Sequence, residues 1–253
     1  MDGVKFAVCR IVGNELPPRD TPGSKLESLE WVVKNCYLRN VHNTWVLNHI
    51  IDADYRDKVL SILVGQDVTD LPFDRHEYAK KKSKWSKVRY AVNINAARNH
   101  GVKYSRAGSD FVVCLDQDCF FFPDEWERVV GRMAADGFSK KYYGVRSKRI
   151  HVNHMDHTKV VAGEAMVIFR SDADVLFDEA IPFGKNSKVA LLRKLGYDSE
   201  FRVSGDLCEN VGWVAHLACG DHETEKDVVT RCDLRMESLD LLVKKLDLKV
   251  KLG

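Results

Sequence analysis

The sequence predicts an α/β domain: a three-layer sandwich with helices on both faces of a mixed, mostly parallel sheet. Three observations carry that expectation. Phe111 to Leu115 is an uninterrupted apolar run and Val4 to Val12 nearly so, as strands buried on both faces require. Such runs alternate with helix-period segments through the first half, and strand-like runs become denser in the second. A chain of 253 residues suffices for one large domain with a full core, so a single domain over 1–253 is expected.

Taken in order, the first strand, Val4 to Val12, runs into Gly13-Asn14-Glu15-Leu16-Pro17-Pro18. Prolines stiffen this loop, and open α/β sheets bind ligands at that strand edge, so Asn14 is a candidate binding residue. Ser24-Lys25-Leu26-Glu27 has the form of a capping box, and Leu26, Leu29, Trp31, Val32 and Val33 give the following helix an apolar stripe to about Asn35. Thr44 to Ile51 reads as a second strand, followed by Asp52-Ala53-Asp54 and a helix through Leu63, with Asp54 as its N-cap. Glu77 to Arg89 is dense in lysine around Tyr78 and Trp85: a solvated helix start or mobile loop, or an electropositive arm for a diphosphate, an acidic acceptor or single-stranded nucleic acid. One helix from Ser86 to Tyr104 then carries Asn93, Asn95, Arg98 and Asn99 toward the sheet.

Beyond the central strand, Asp124 to Asp136 forms an amphipathic helix with Trp126, Val129, Val130 and Met133 inward. Tyr142 to His154 and Lys159 to Arg170 read as strands joined by a polar tip bearing His151, His154 and His157, whose alternation in a strand does not suit zinc. Gly212 to Ala218 is a late strand bearing His216, close to His222 in Gly220-Asp221-His222. A capping-box form at Thr224 opens a C-terminal helix to about Lys249, with Val228, Val229, Cys232, Met236, Leu239, Leu242, Val243 and Leu246 inward.

The 39 lysines and arginines nearly balance 37 aspartates and glutamates, so net charge gives no argument for nucleic acid or membrane. Seven cysteines without a C-x-x-C pair read as reduced core thiols. No signal core and no window approaching ~18 apolar residues are present, which predicts a cytoplasmic protein.

The most informative stretch is Asn95 to Trp126, in which the buried strand ends in Asp116-Gln117-Asp118. Carboxylates at i and i+2 of an extended segment leave on one side, where two of them approach a single hard divalent cation. Arg98, in Ala97-Arg98-Asn99-His100-Gly101, precedes this pair, and Pro123-Asp124-Glu125-Trp126 follows it. The combination resembles the glycosyltransferase family 2 superfamily, with its GT-A (Rossmann-like) fold. The resemblance is loose over residues 4–220 and specific over 95–126 and 177–197. It implies a metal-dependent glycosyltransferase of hexosyltransferase type using a nucleotide-diphosphate sugar, a UDP-sugar first, with a nucleotide-binding half over 1–120 and an acceptor half over 121–253.

What the resemblance implies for single residues is as follows. Asp118, helped by Asp116, holds Mn²⁺ or Mg²⁺, with His216 or His222 as a further ligand. Arg98 lies near the diphosphate and Asp52 or Asp54 near the nucleoside; by their positions in the chain, Asn14, Asn95 and Gln117 are further donor-binding candidates. Phe177 to Tyr197 resembles the superfamily's FDE-x4-G-ED element at Phe177, Asp178, Glu179, Gly184, Leu191, Gly196 and Tyr197. It departs where the Glu-Asp pair supplying the general base is replaced by Lys185-Asn186. An inverting reaction then needs Asp178, Glu179 or Asp206 as base, whereas a retaining one needs none. The acceptor, whether glycan, lipid-linked or modified DNA, stays open, and so do a nucleotidyltransferase or a non-catalytic nucleotide-sugar or glycan-binding module on the same fold.

Overall fold

The computed structural model describes residues 3–150, 161–183, 187–197, 208–217 and 228–252. Among these residues eight strands form one sheet: β1 (Phe6–Val12), β2 (Val41–Asn48), β3 (Asp67–Leu71), β4 (Phe111–Asp116), β5 (Cys119–Phe120), β6 (Tyr142–Ile150), β7 (Val161–Arg170) and β8 (Cys208–Leu217). Their order is β3-β2-β1-β4-β7-β6-β8-β5. β1 pairs parallel with β2 and β4, and β3 is parallel to β2. β7 then enters antiparallel to β4, β6 is antiparallel to β7 and parallel to β8, and β5 closes the row antiparallel to β8. The expected mixed, mostly parallel sheet is therefore present.

Alternation along the strands builds a core on each face. On one face Val8, Val113, Leu115 and Val214 pack against Trp126, Val129 and Met133 of α6 (Pro123–Ala135). Beside them Trp45 and Leu47 meet Leu29 and Val32 of α1 (Ser24–Asn35) and Val59 of α2 (Ala53–Ile62). On the other face Ala7, Cys9, Val112 and Cys114 pack with Val102 of α5 (Ile94–Ser105) and Leu191 and Leu192 of α7 (Ser187–Lys194).

The basic stretch forms two short helices anchored through the buried Tyr78 and Val88, while most of its lysines remain exposed. α3 (Arg75–Ala79), capped by Asp74, and α4 (Lys84–Val92), capped by Ser83, lie against the C-terminal helix α8 (Val228–Leu252). Tyr78 is fully buried there, its hydroxyl donating to Asp247 at 3.0 Å, and Lys87 pairs with Asp247 at 2.7 Å while Lys84 pairs with Asp240.

Several expectations are corrected. The helix predicted over Ser86 to Tyr104 is two helices broken at Asn93 (φ 16°, ψ 41°), where the Asn48 amide donates to the Val92 carbonyl at 2.7 Å and ends α4. The break lets α4 follow α8 while α5 lies on the sheet. Ser24 makes no capping bond, since the left-handed Gly23 stands at that N-cap. Asp52, not Asp54, caps α2, accepting from Tyr55 N at 3.1 Å. β3 has no apolar alternation because it is a half-buried edge strand. Val229 and Cys232 are exposed on α8, while Leu239, Val243 and Leu246 turn inward. His151, His154 and His157 lie outside the described residues, and among those described no helix is long and apolar enough to cross a membrane.

Gly144 on β6 is where the Tyr197 ring, just after α7, rests on the sheet, and a methyl group there would overlap the Tyr197 hydroxyl. Gly144→Ala is expected to cost about 1–3 kcal/mol in urea denaturation by overpacking. A loss below ~0.5 kcal/mol would mean that Tyr197 swings aside freely.

Candidate functional site

Helix α5 lies so close to the sheet that a Cβ at Gly101 would stand 2.9 Å from Val46 Cγ2 and 3.1 Å from Cys9 Sγ. This approach carries the buried polar residues Asn95, Arg98 and Asn99 to the carboxyl ends of the central strands. Arg98 Nη2 donates to Asp116 Oδ1 at 2.8 Å, and Nη1 donates to Asn95 Oδ1 at 3.2 Å and Ser187 Oγ at 3.4 Å. Its guanidinium lies 5.2 Å from the centre of the Phe177 ring. From α7, Lys188 Nζ donates to Asp116 Oδ2 at 2.6 Å. Burial opposes ionisation of Asp116, but the charges of Lys188 and Arg98 outweigh it and hold the carboxyl well below the usual carboxylate range.

Asp118 belongs to a different group. The chain leaves β4 at Asp116, turns, and pairs β5 with β8 so that Cys119 stands opposite His216. Leu217 N donates to Asp118 O at 2.9 Å and fixes the turn. His216 Nε2 then lies 3.1 Å from Asp118 Oδ2, and Cys119 Sγ 3.7 Å from Asp118 Oδ1. Ligand atoms of these three residues all fall within 4.8 Å of one another. Asp116 and Asp118, expected to share one cation, have different partners here: Asp116 faces two cationic side chains, and Asp118 faces an imidazole and a thiol. The oxygen, nitrogen and sulfur donors of Asp118, His216 and Cys119 fit a divalent cation.

The other predicted residues frame this edge. Asn14 bridges from β1 to the end of β2, donating to His49 O at 2.8 Å and accepting from Ile51 N at 2.9 Å. Gln117 donates to Lys25 O at 2.9 Å and so ties the strand end to α1. Asn95 donates to the carbonyls of Asp178 and Ile181, both at 3.0 Å, and Asn99 holds Phe177 O at 2.9 Å and Glu179 Oε1 at 2.8 Å. Asn14, Asn95 and Gln117, expected on a donor, each hold backbone groups of the loops around the site here. Asp178 is exposed, and its carboxylate accepts a local bond from Ala180 N at 2.9 Å. Asp206, His222 and Lys185-Asn186 lie outside the described residues.

Two residues were missed in the sequence. Lys188 sits just past the departure from the Glu-Asp pattern, and only packing of α7 against the sheet brings it to Asp116. Cys119 directly follows Asp118, but read as one more core thiol it gave no separate signal.

The glycosyl transferase family 2 model matches residues 74–195. Among solved structures, glucosyl-3-phosphoglycerate synthase from Mycobacterium tuberculosis, in complex with Mn²⁺, uridine diphosphate and glucosyl-3-phosphoglycerate, is similar at 14% identity over 97% of this chain and 81% of its own, with a TM-score of 0.47. S. aureus TarS 1-349 is similar at 12% identity over 93% and 71%, with a TM-score of 0.47. A longer S. aureus TarS chain is matched over 75% of this chain and only 33% of its own length, at 15% identity and a TM-score of 0.42. No curated protein matches in sequence.

Removing one cation from Asp116 leaves its carboxylate half-compensated, so Lys188→Met is expected to cost about 1–3 kcal/mol at pH 7. Because the folded-state pKa of Asp116 is depressed, its contribution is present above the unfolded value, near 4, and is lost as pH falls through the folded one. Urea melts of both proteins at pH 7 and pH 3 should show the gap narrowing in acid. A gap independent of pH would assign the loss to packing.

Proposed function

We propose that this chain, whose residues 74–195 match the glycosyl transferase family 2 model, moves a sugar from a nucleotide-diphosphate donor to an acceptor hydroxyl, with a divalent cation, Mn²⁺ or Mg²⁺, held by Asp118 and His216. The observation that supports this most is the carboxylate–imidazole pair at 3.1 Å, set where β4 hands over to β5. Such an ion, when bound, supplies positive charge to the leaving diphosphate. The half over 1–120 is proposed to hold the nucleotide and the half over 121–253 the acceptor.

The protein's own groups have separable tasks in this reading. Arg98 and Lys188 bring two positive charges to the strand edge beside Asp116. Positive charge placed there favours a diphosphate. Asn95 and Asn99 hold the loop over residues 177–181 against α5, and so fix the exposed carboxylate of Asp178 relative to Arg98. Asp178 is the proposed base for deprotonating the acceptor in an inverting reaction. Glu179 is disfavoured by its bond to Asn99. The acceptor is left open; the pairing of Lys84 and Lys87 with α8 weakens the case for a nucleic-acid surface there.

The test is a panel of nucleotide sugars, UDP-sugars first, scored for metal-dependent nucleotide release and for a glycosylated product. Asp118→Ala is expected to lose metal-dependent UDP binding by calorimetry, and Arg98→Lys to weaken it. Asp178→Ala is expected to lower turnover at least ~100-fold with donor affinity preserved. Wild-type UDP and Mn²⁺ affinity in Asp118→Ala would remove the site. Normal turnover in Asp178→Ala with inversion of configuration would remove only the base.

A further inference from the structure

We propose that Cys119 is a third protein ligand to the cation at Asp118 and His216, so that this site favours thiophilic divalent ions such as Zn²⁺, Co²⁺ and Cd²⁺ over Mg²⁺; the inference rests on the metal reading above. The sheet register makes the arrangement. Cys119 and His216 are directly opposed across the antiparallel β5–β8 pair, and opposed residues project from the same face with Cβ atoms about 4.5–5.5 Å apart. Asp118 reaches the same point from the turn before β5.

Spacing supports coordination over incidental packing. Metal–donor lengths of about 2.0–2.3 Å in a tetrahedral site place donors roughly 3.3–3.7 Å from one another. The structure places His216 Nε2 3.1 Å and Cys119 Sγ 3.7 Å from the two Asp118 oxygens. Both contacts of Asp118 therefore stand near ligand separation, and the donor atoms of all three residues lie within 4.8 Å of one another.

The donor set decides which ion. A pair of carboxylates would have offered the oxygen-rich shell that Mg²⁺ prefers, but both oxygens of Asp116 are engaged by Arg98 and Lys188. Among the described residues the cluster therefore offers one carboxylate, one imidazole and one thiol, a composition matched to softer ions. The buried cysteines of the neighbouring strands make the contrast: Cys9 and Cys114 are paired in register across β1 and β4 and pack with Val102 and Phe169 in the opposite core. Cys119, equally inaccessible to solvent, also packs in an apolar core, but has a carboxylate and an imidazole among its neighbours. As an ion binds, the Cys119 S–H bond breaks heterolytically, its proton leaves to solvent, and sulfur donates its electron pair to the metal.

The test is titration of the full chain with Co²⁺, followed by absorbance and calorimetry, in wild-type protein and in Cys119→Ser, Cys119→Ala, Asp118→Ala and His216→Ala. Wild type should give a near-ultraviolet sulfur-to-cobalt charge-transfer band that both Cys119 variants lose. Loss of a metal site's orienting partner alone costs 10–100-fold in affinity, so the Cd²⁺-to-Mn²⁺ affinity ratio should fall at least ~10-fold in Cys119→Ser. Thermal melts establish that the variants fold, and the cadmium-113 resonance of the wild-type adduct, downfield for a sulfur donor, decides the matter without any substitution. Co²⁺ binding without the band, or a band that survives in Cys119→Ser, overturns the assignment of Cys119 while leaving Asp118 and His216 in place. Unchanged Co²⁺ affinity in Asp118→Ala and His216→Ala overturns the metal reading itself, and this inference with it.

Discussion

An ionised Asp116 held between Arg98 and Lys188 is the interaction around which the edge of the sheet is assembled. Its two oxygens join α5, the end of β4 and α7, elements from three separate parts of the chain, through charge-assisted hydrogen bonds of 2.8 and 2.6 Å. Charges at such an interior edge are costly unless paired, so each helix is tied to the position that satisfies its cation. The same guanidinium reaches Asn95 and Ser187 and lies against Phe177, which couples the loop after β7 to the strand end. Elements from both halves of the chain thereby share one electrostatic knot.

The second constraint is the short strand β5. Only two residues long, it carries the chain from β4, at the middle of the sheet order, to β8 at its far side. That crossing separates two aspartates that are two residues apart in sequence, one serving the ion cluster and the other the imidazole and thiol. The physical outcome is a division of labour. Fixed positive charge stands at Asp116, and an imidazole and a thiol stand at Asp118.

The C-terminal helix plays a supporting part. By burying Tyr78 and pairing with Lys84 and Lys87, α8 turns a lysine-rich stretch into packed helices, with Leu246 closing over Tyr78 and Ala91. The stretch immediately precedes α5, so its order bears on where Arg98 sits.

By itself the sequence determined what local chemistry dictates. Two-sided apolar runs made Phe111 to Leu115 and the first strand legible, the 3.6-residue stripe made α6 legible, and ARNxG with Asp-x-Asp marked the segment that matches the family. It also supplied His216 as a ligand candidate. Partner choice was decided only in the tertiary structure, because it depends on groups brought together from distant positions. Lys188 reaches Asp116 across 72 residues, and His216 reaches Asp118 across 98. Neither spacing has a local signature, and no periodicity distinguishes Cys119, opposite an imidazole, from Cys114, opposite a second thiol. The amides of Asn14, Asn95 and Gln117 look alike as binding groups until packing gives each a backbone partner. The polar edge strand β3 and the break at Asn93 likewise arise from what the neighbouring elements leave exposed or hydrogen-bonded, which no single stretch of sequence encodes.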